Sequence, residues 1–412
     1  MASMWGEPLK LAVLASHPIQ YQAPWFRALA EVVDLEVFYC HRQDAAGQAA
    51  AGFGVPVEWD IPLLDGYSYR WLENVSRRPG VDAFSGCDTP GIGAALQAGG
   101  FDACLVNGWY LKSCLQAIRA CRQQGIPVLV RGDSQLKTFR PWTTRIAKYW
   151  PYRWFLSKID AHLYVGRANY AYLRHYGVKE RRLFFVPHCV ENERFAERAD
   201  RARGDGSAAL LRAKHGAATD DVVFLFTGKL IEKKRPADFV DAVALLGARG
   251  IPARGFIVGS GPLEGALRRQ TAERGAPVHF LGFQNQSTIP VCYAAADCLV
   301  LPSDGGETWG LVVNEAMACG VPAIVSDAVG CADDMILEGE TGFTFPCGDV
   351  GALAGRMQTY VTNAARSRGR FAHAASQRSA HYAIGLAVAG TLQALQCVVG
   401  SRFARLGEKA HL

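Results

Sequence analysis

The stretch Asp304-Gly-Gly-Glu-Thr-Trp-Gly-Leu-Val-Val-Asn-Glu-Ala-Met-Ala-Cys-Gly320 is dense in groups that can do chemistry. A strand-like run ends at Pro302, a glycine-bearing loop follows, and a helix is expected to begin near Trp309–Leu311. Backbone amides at a helix start have no intrahelical acceptor, and the helix dipole favours an anion there. The backbone of Trp309, Gly310 and Leu311, flanked by Thr308 and Val312, can therefore hold a diphosphate, with Gly310 allowing close approach. Glu307 lies in the loop and Glu315 eight positions later. Eight helical residues are two turns plus about 80°, so the two carboxylates need not stack. Separate jobs suit them: Glu307 beside a sugar, Glu315 accepting bonds from ribose hydroxyls. The plainer alternative is that both acids only complement the helix start.

A second site is Phe226-Thr-Gly-Lys-Leu-Ile-Glu-Lys-Lys-Arg-Pro236, again between a strand and a helix. It holds Gly228 and four cations within seven residues: Lys229, Lys233, Lys234 and Arg235. A departing diphosphate needs positive charge, which lysine supplies as a point charge. Such a run is otherwise a solvated basic loop. Its place at a strand's C-terminal end favours ligand binding, because open α/β sheets bind ligands there. Two weaker segments follow: the turn Gly259-Ser-Gly-Pro262, and Phe280-Leu-Gly-Phe-Gln-Asn285, where the backbone around Phe283 can read a base edge.

These segments sit in a repeating strand–helix pattern. Leu11–Ala15, Leu35–Tyr39, Ala103–Val106, Pro127–Arg131 and Ala161–Val165 read as buried strands, with helices at Ala23–Val33 and Lys112–Gln123. The pattern restarts with strands at Val222–Thr227, Arg254–Val258, Val278–Leu281, Cys298–Leu301 and Ala323–Ser326. Continuous apolar strands separated by helices imply parallel sheets covered on both faces. We expect an α/β chain with a first domain over 1–195, a linker with one short helix over 196–220, a second domain over 221–375, and a helical tail over 376–412.

Composition sets broad bounds. The 412 residues suit two domains, and 44 Lys+Arg against 38 Asp+Glu give +6, a mild preference for anionic ligands or surfaces. Twelve cysteines are scattered without Cys-x-x-Cys or zinc spacing, which reads as reduced thiols of a cytoplasmic protein. Met1–Pro8 does not read as a secretory leader. Tyr382–Gly400 is apolar but contains Gln393, Gln396 and two internal glycines, so it reads as a helix packed on protein.

The order Gly-Lys-Leu…Lys-Lys, Gly-Ser-Gly-Pro, Phe-Leu-Gly-Phe and Glu-x7-Glu, followed by Gly-Val-Pro-Ala-Ile-Val-Ser, resembles family 4 of the retaining GT-B glycosyltransferases. Val186-Pro-His-Cys-Val-Glu-Asn-Glu-Arg-Phe195 is similar to that family's boundary segment, and Glu340-Thr-Gly-Phe-Thr-Phe345 to a later Gly-Phe segment. The resemblance runs from about residue 11 to 395. It implies two Rossmann-like doubly wound domains facing each other across a cleft, with the tail crossing back to the first. It further implies a nucleoside diphosphate sugar as co-substrate, UDP- or GDP-linked, no cofactor and no metal. In that reading Gly228, Lys229, Lys234, Gly259, Phe283, Thr308, Trp309, Gly310, Leu311, Val312 and Glu315 bind the donor, and Glu307 is the acid near its sugar. Transfer with retention onto an acceptor hydroxyl, in polysaccharide or glycolipid assembly, is what the resemblance implies. An epimerase, a phosphorylase or a non-catalytic sugar-nucleotide or membrane binder are the rivals.

The chain departs from that pattern on the acceptor side. The glycine-rich N-terminal loop is replaced by Ser16-His-Pro-Ile-Gln-Tyr-Gln-Ala-Pro24, and the expected histidine position reads Asn107-Gly-Trp-Tyr110. His17, Asn107, Arg131 and Asp133 fall at strand ends facing the cleft. Asp133 or His17 is expected to orient an acceptor hydroxyl, with Asn107 and Arg131 as acceptor contacts, or each fixes a loop. Finally, Lys137–Lys158 holds six basic residues, seven aromatics and no acid. That composition suits an anionic membrane surface, which would place the protein peripherally on the inner face of a membrane. It equally suits a helix with inward aromatics and solvated cations. No nucleic-acid motif accompanies it, so nucleic acid is not an expected partner.

Overall fold

A computed structural model describes residues 9–43, 47, 52, 54–218 and 220–409; Met1–Pro8 and residues 410–412 lie outside it. The first half comprises β1 (Lys10–Ala15), α1 (Ala23–Ala30), β2 (Asp34–Tyr39), β3 (Ser68–Trp71), α2 (Ile92–Gly99), β4 (Ala103–Asn107), α3 (Lys112–Gln124), β5 (Val128–Gly132), α4 (Trp142–Leu156), β6 (Ala161–Tyr164), α5 (Arg167–His175) and β7 (Leu183–Phe185). Its seven strands are all parallel, in the order β3-β2-β1-β4-β5-β6-β7. The strands β1, β4 and β5 are almost wholly apolar and buried, as a sheet covered on both faces requires. The edge strands β3 and β7 are short and partly exposed. β3 (Ser-Tyr-Arg-Trp) shows no apolar run and β7 (Leu-Phe-Phe) is only three residues long, which is why sequence patterning passes over them.

The second half comprises α6 (Asn192–Gly204), α7 (Ser207–Lys214), β8 (Val222–Thr227), α8 (Pro236–Ala248), β9 (Ala253–Val258), α9 (Glu264–Arg274), β10 (Val278–Gly282), α10 (Ile289–Ala294), β11 (Cys298–Leu301), α11 (Val312–Ala318), β12 (Ala323–Ser326), α12 (Ala332–Met335), β13 (Gly342–Phe345), α13 (Val350–Ala380) and α14 (Ile384–Lys409). Its six parallel strands run β10-β9-β8-β11-β12-β13. Both sheets thus reverse direction once, between β1 and β4 and between β8 and β11. Each reversal opens a crevice at the strands' C-terminal ends. The architecture is two doubly wound Rossmann-like domains facing each other.

The stretch expected as a linker with one short helix, 196–220, differs from that reading. It holds two helices, and the first begins at Asn192. Phe195, Ala199 and Ala202 form a buried stripe on α6 that packs against α10 and α11 of the second domain. The dense Ala and Arg content of the segment masks that stripe in the sequence. The boundary expected at 375 falls inside α13, which runs to Ala380. The tail proper is α14, which packs against α1, β6 and β7 of the first domain. It buries Ala387, Ala394, Leu395, Val398 and Val399 in that domain's core. No helix among the described residues is long and apolar enough to cross a membrane. The twelve cysteines are free thiols, ten of them buried.

Candidate active site

The crevice of the second sheet lies between the loops that follow β8 and β11. These are the loops that carry the lysines and Glu307. A cavity of about 570 Å³ opens there, closed from the other side by Gln20, Tyr21, Trp59, Asp82, Asp133 and His188 of the first domain. Of the residues named from sequence, Gly228, Lys229, Lys234, Gly259, Phe283, Glu307, Thr308, Trp309, Gly310, Leu311, Val312, Glu315 and Asp133 all line it. His17, Asn107 and Arg131 do not.

Local geometry explains why glycine stands at two of these positions. Gly259 has φ 133°, and a Cβ there would overlap the Gly228 carbonyl oxygen, so the two loops touch backbone to backbone. Gly310 has φ 101°, and a Cβ would sit 2.7 Å from a Leu301 methyl. That contact sets the turn feeding the first amides of α11 into the cavity wall. Among the described residues Arg235, at φ 49°, is the non-glycine residue with a left-handed backbone; its guanidinium grips Asp238 at 2.7 and 3.1 Å. This pairing over-determines a strained turn directly after Lys234.

The charges are arranged in pairs. Lys234 Nζ is ion-paired with Glu307 Oε2, and both side chains are largely buried. Burial, reinforced by the nearby charge of Lys233, lowers the pKa of Lys229. Lys233 Nζ reaches the Gly306 carbonyl at 3.4 Å. Glu315 is fully buried, and burial raises its pKa against the pull of three donors. Tyr293 donates to Oε2 at 2.6 Å, while Tyr21 and Gln286 donate to Oε1 at 3.0 and 3.3 Å. Tyr21 crosses from the first domain to make its bond.

The Glu307 loop is strapped to the first domain. Gln135 Nε2 donates to the carbonyls of Gly305, Glu307 and Ala328 at 3.2, 3.1 and 3.4 Å. Thr138 Oγ1 donates to Gly305 at 2.8 Å, and Thr308 Oγ1 donates to Asp133 Oδ2 at 2.6 Å. On the opposite rim, Asn285 donates to the Glu58 carbonyl at 2.6 Å and Trp59 meets Phe283 edge-on at 6.3 Å.

Behind Asp133 sits a residue that sequence reading did not single out. His188 accepts at Nδ1 from the Arg131 guanidinium at 3.2 Å, which assigns its proton to Nε2. Nε2 faces Asp133 Oδ2 at 3.8 Å. Burial, then the Arg131 charge, lowers the His188 pKa, so the imidazole is neutral. Burial alone would raise Asp133, but the nearby His188 imidazole, the Thr308 hydrogen bond and the Arg131 charge bring it down to about 2. Asp133 is a carboxylate open to the cavity, 44% exposed at its side chain.

The acceptor-side expectations need correcting where these contacts contradict them. Arg131 is buried beneath His188, donates to the Pro187 carbonyl at 3.0 Å, and lies 4.8 Å over the Trp25 ring. It positions His188 and cannot touch a ligand. Asn107 ends β4 beside Arg131, outside the cavity wall. His17 bonds Ser16 Oγ at 3.0 Å, and burial, then His41 and Lys229, bring it down to about 4. It does not reach the cavity wall. The signal for His188 is present in the Pro187-His188-Cys189 order, where the family pattern has Pro-Asn-Gly. No cluster of three His, Cys, Asp or Glu side chains that could hold a metal ion occurs among the described residues.

Residues 208–378 match the family of Glycosyl transferases group 1. That span holds every second-domain residue of the cavity. A GDP-mannose-dependent alpha-(1-6)-phosphatidylinositol dimannoside mannosyltransferase of Mycobacterium tuberculosis is 32% identical over 162 residues, 39% of this chain and 40% of that protein. A D-inositol 3-phosphate glycosyltransferase of Geodermatophilus obscurus is 33% identical over 180 residues, 41% of this chain and 38% of that protein. The chain thus spans about two fifths of the length of these relatives. Solved structures extend the likeness to the whole fold. A glycosyltransferase from Rickettsia africae superposes with a TM-score of 0.71 at 12% identity, covering 95% of this chain and 99% of that one. Anabaena Alr3699/HepE in complex with UDP and glucose gives 0.66 at 15% identity, covering 94% and 99%. The fold is GT-B.

Proposed function

We propose that this protein is a retaining glycosyltransferase that moves a sugar from a nucleoside diphosphate sugar to an acceptor hydroxyl. The observation that carries the reading is the convergence of Lys229, Lys234, Glu307 and the α11 amides on one cavity at the crevice of the second sheet. The matched family and the relatives named above support it. The diphosphate lies against the first amides of α11 and between the two lysines, the base beside Phe283, and the ribose at Glu315.

Chemically, the C1–O bond to the distal phosphate breaks with its electron pair going to the phosphate oxygen. The lysines neutralise that developing charge without a metal or cofactor. The acceptor oxygen bonds to C1 from the same face, and its proton passes to the departing phosphate oxygen. Glu307, beside the donor sugar, and Asp133, held by Thr308 and His188, orient the reacting groups. The acceptor is a sugar or a lipid-linked glycan in polysaccharide or glycolipid assembly at the cytoplasmic face.

The test is to incubate the protein with UDP- and GDP-sugars, with and without glycolipid or oligosaccharide acceptors, and follow nucleotide release and product by NMR. The expected result is acceptor-dependent transfer with retained anomeric configuration, lowered on the order of 100-fold in Glu307→Gln. Conversion of the donor to its epimer without acceptor, or full activity in Glu307→Gln, would overturn the proposal.

A further inference from the structure

Helix α4 (Trp142–Leu156) presents two different faces. Tyr149, Tyr152 and Phe155 turn inward: Tyr152 meets Trp109 edge-on at 5.0 Å, Phe155 stacks on it at 5.7 Å, and Tyr149 lies 5.7 Å from Tyr176. The opposite face carries Trp142, Ile146, Trp150 and Trp154, four residues apart and 72, 64, 72 and 65% exposed. Phe139, 88% exposed, extends that face at the helix entry. A spacing of four keeps these side chains in one stripe. A contiguous stripe of large exposed apolar groups marks a contact surface.

The charges around the stripe are unbalanced. Residues 137–158 contain no acid. Among the described residues, no carboxylate lies within 4.0 Å of Arg140, Arg145, Lys148 or Arg153, whereas Lys137 pairs with Asp333. Lys158 Nζ sits 5.3 Å over the Trp154 ring. A recess of about 390 Å³ opens beside the stripe, lined by Arg140, Arg145, Trp150 and His175 among others. It sets two guanidiniums next to the exposed indoles.

We propose that the outward face of α4 docks the protein onto an anionic lipid bilayer. The indole rings enter the headgroup layer, and the Arg140 and Arg145 guanidiniums, which line the recess beside Trp150, meet lipid phosphates. Charge complementarity selects this occupant. A second copy of the chain would bring the same unpaired cations face to face. Gln135 and Thr138, which lead into α4, also hold the Glu307 loop. Docking therefore brings the Glu307 loop near the leaflet. That proximity matters to lipid-borne acceptors only if the glycosyl-transfer reading holds; docking itself does not depend on it.

The test is co-sedimentation of the full chain with vesicles of phosphatidylcholine alone or with one third phosphatidylglycerol. Binding is expected on the anionic vesicles, to fall as salt is raised, and to be weak on the neutral ones. Trp150→Ala/Trp154→Ala and Arg140→Gln/Arg145→Gln should each weaken it about tenfold or more. Thermal midpoints should hold, because Trp150, Trp154 and Arg145 are exposed and the half-buried Arg140 pairs with no carboxylate among the described residues. Equal binding to both vesicles, no binding, or wild-type binding by the tryptophan variant would overturn the proposal. So would self-association or capture of a protein through α4 in place of lipid. Nucleotide titrations of the same variants in lipid-free buffer separate this outcome from a failure of the catalytic reading.

Discussion

Lys234 and Glu307 are ion-paired, and this makes an unusual prediction for the two single variants. A hydrogen bond to a charged group contributes about 1.5–3 kcal/mol. Lys234→Ala removes one such contact from a bound diphosphate and leaves Glu307 as an uncompensated neighbour. Nucleoside diphosphate affinity should fall by about 10- to 150-fold. Glu307→Gln acts in the opposite direction. Both partners are close to nine-tenths buried, at 12 and 13% side-chain exposure, so the lysine is well neutralised before the nucleotide arrives. Without the carboxylate, Lys234 is already available and a like charge beside the phosphates is gone. A modest relief of roughly 1 kcal/mol makes the bare nucleoside diphosphate bind about fivefold tighter, while sugar transfer collapses. Isothermal titration of the nucleoside diphosphate, without sugar, reads both effects. Tenfold weaker binding in Glu307→Gln would refute the reasoning, because the carboxylate would then be helping to hold the nucleotide.

Three further outcomes follow from individual contacts. Tyr21→Phe removes one of three donors from the buried Glu315 carboxylate. The unliganded protein should lose about 1.5–3 kcal/mol in urea denaturation, and nucleotide affinity should rise, since a ribose hydroxyl can replace the lost donor; equal or weaker binding would contradict this. His162 is walled in and burial pushes it down to about 4, despite its bond to the Leu156 carbonyl at 3.0 Å. Between pH 6.5 and 4 the unfolded chain takes a proton there and the folded chain does not, so its contribution is complete above 6.5 and about 2 kcal/mol is lost by pH 5. Urea midpoints of wild type and His162→Gln at pH 7 and 5 check it, the variant losing less. Gly259→Ala drives a Cβ into the Gly228 carbonyl at a positive φ. It should cost more than about 2 kcal/mol and abolish nucleotide binding; a stable variant with normal affinity would show that the two loops do not have to touch.

What the sequence exposes is what is local. Gly228 to Lys234 and Glu307 to Glu315 each lie on one loop-to-helix junction, so their types and spacing point to an anion site before any contact is known. The alternating pattern likewise places β8 and β11, whose adjacency creates the crevice. Long-range partners are hidden. Tyr21 reaches Glu315 across 294 positions, and Gln135 reaches Glu307 across 172. Neither residue type stands out alone. Arg131 and Asp133 are two apart, so strand alternation alone would put them on one face; Asp133, however, lies past the end of β5 at Gly132, where the chain leaves the sheet and turns its carboxylate to the cavity. The outward stripe on α4 is visible as composition, but which aromatics face inward depends on Trp109 and Tyr176, outside that segment.

The central claim is that the cavity between the two domains binds a nucleoside diphosphate sugar. Thermal unfolding of the purified protein against a panel of nucleoside diphosphates and their sugars tests it most directly. A ligand at a hundredfold excess over its dissociation constant stabilises the native state by about 2.7 kcal/mol. A clear rise in midpoint is expected with one base, lost in Lys234→Ala. No shift with any nucleotide at millimolar concentration, or a shift untouched by Lys234→Ala, would contradict it.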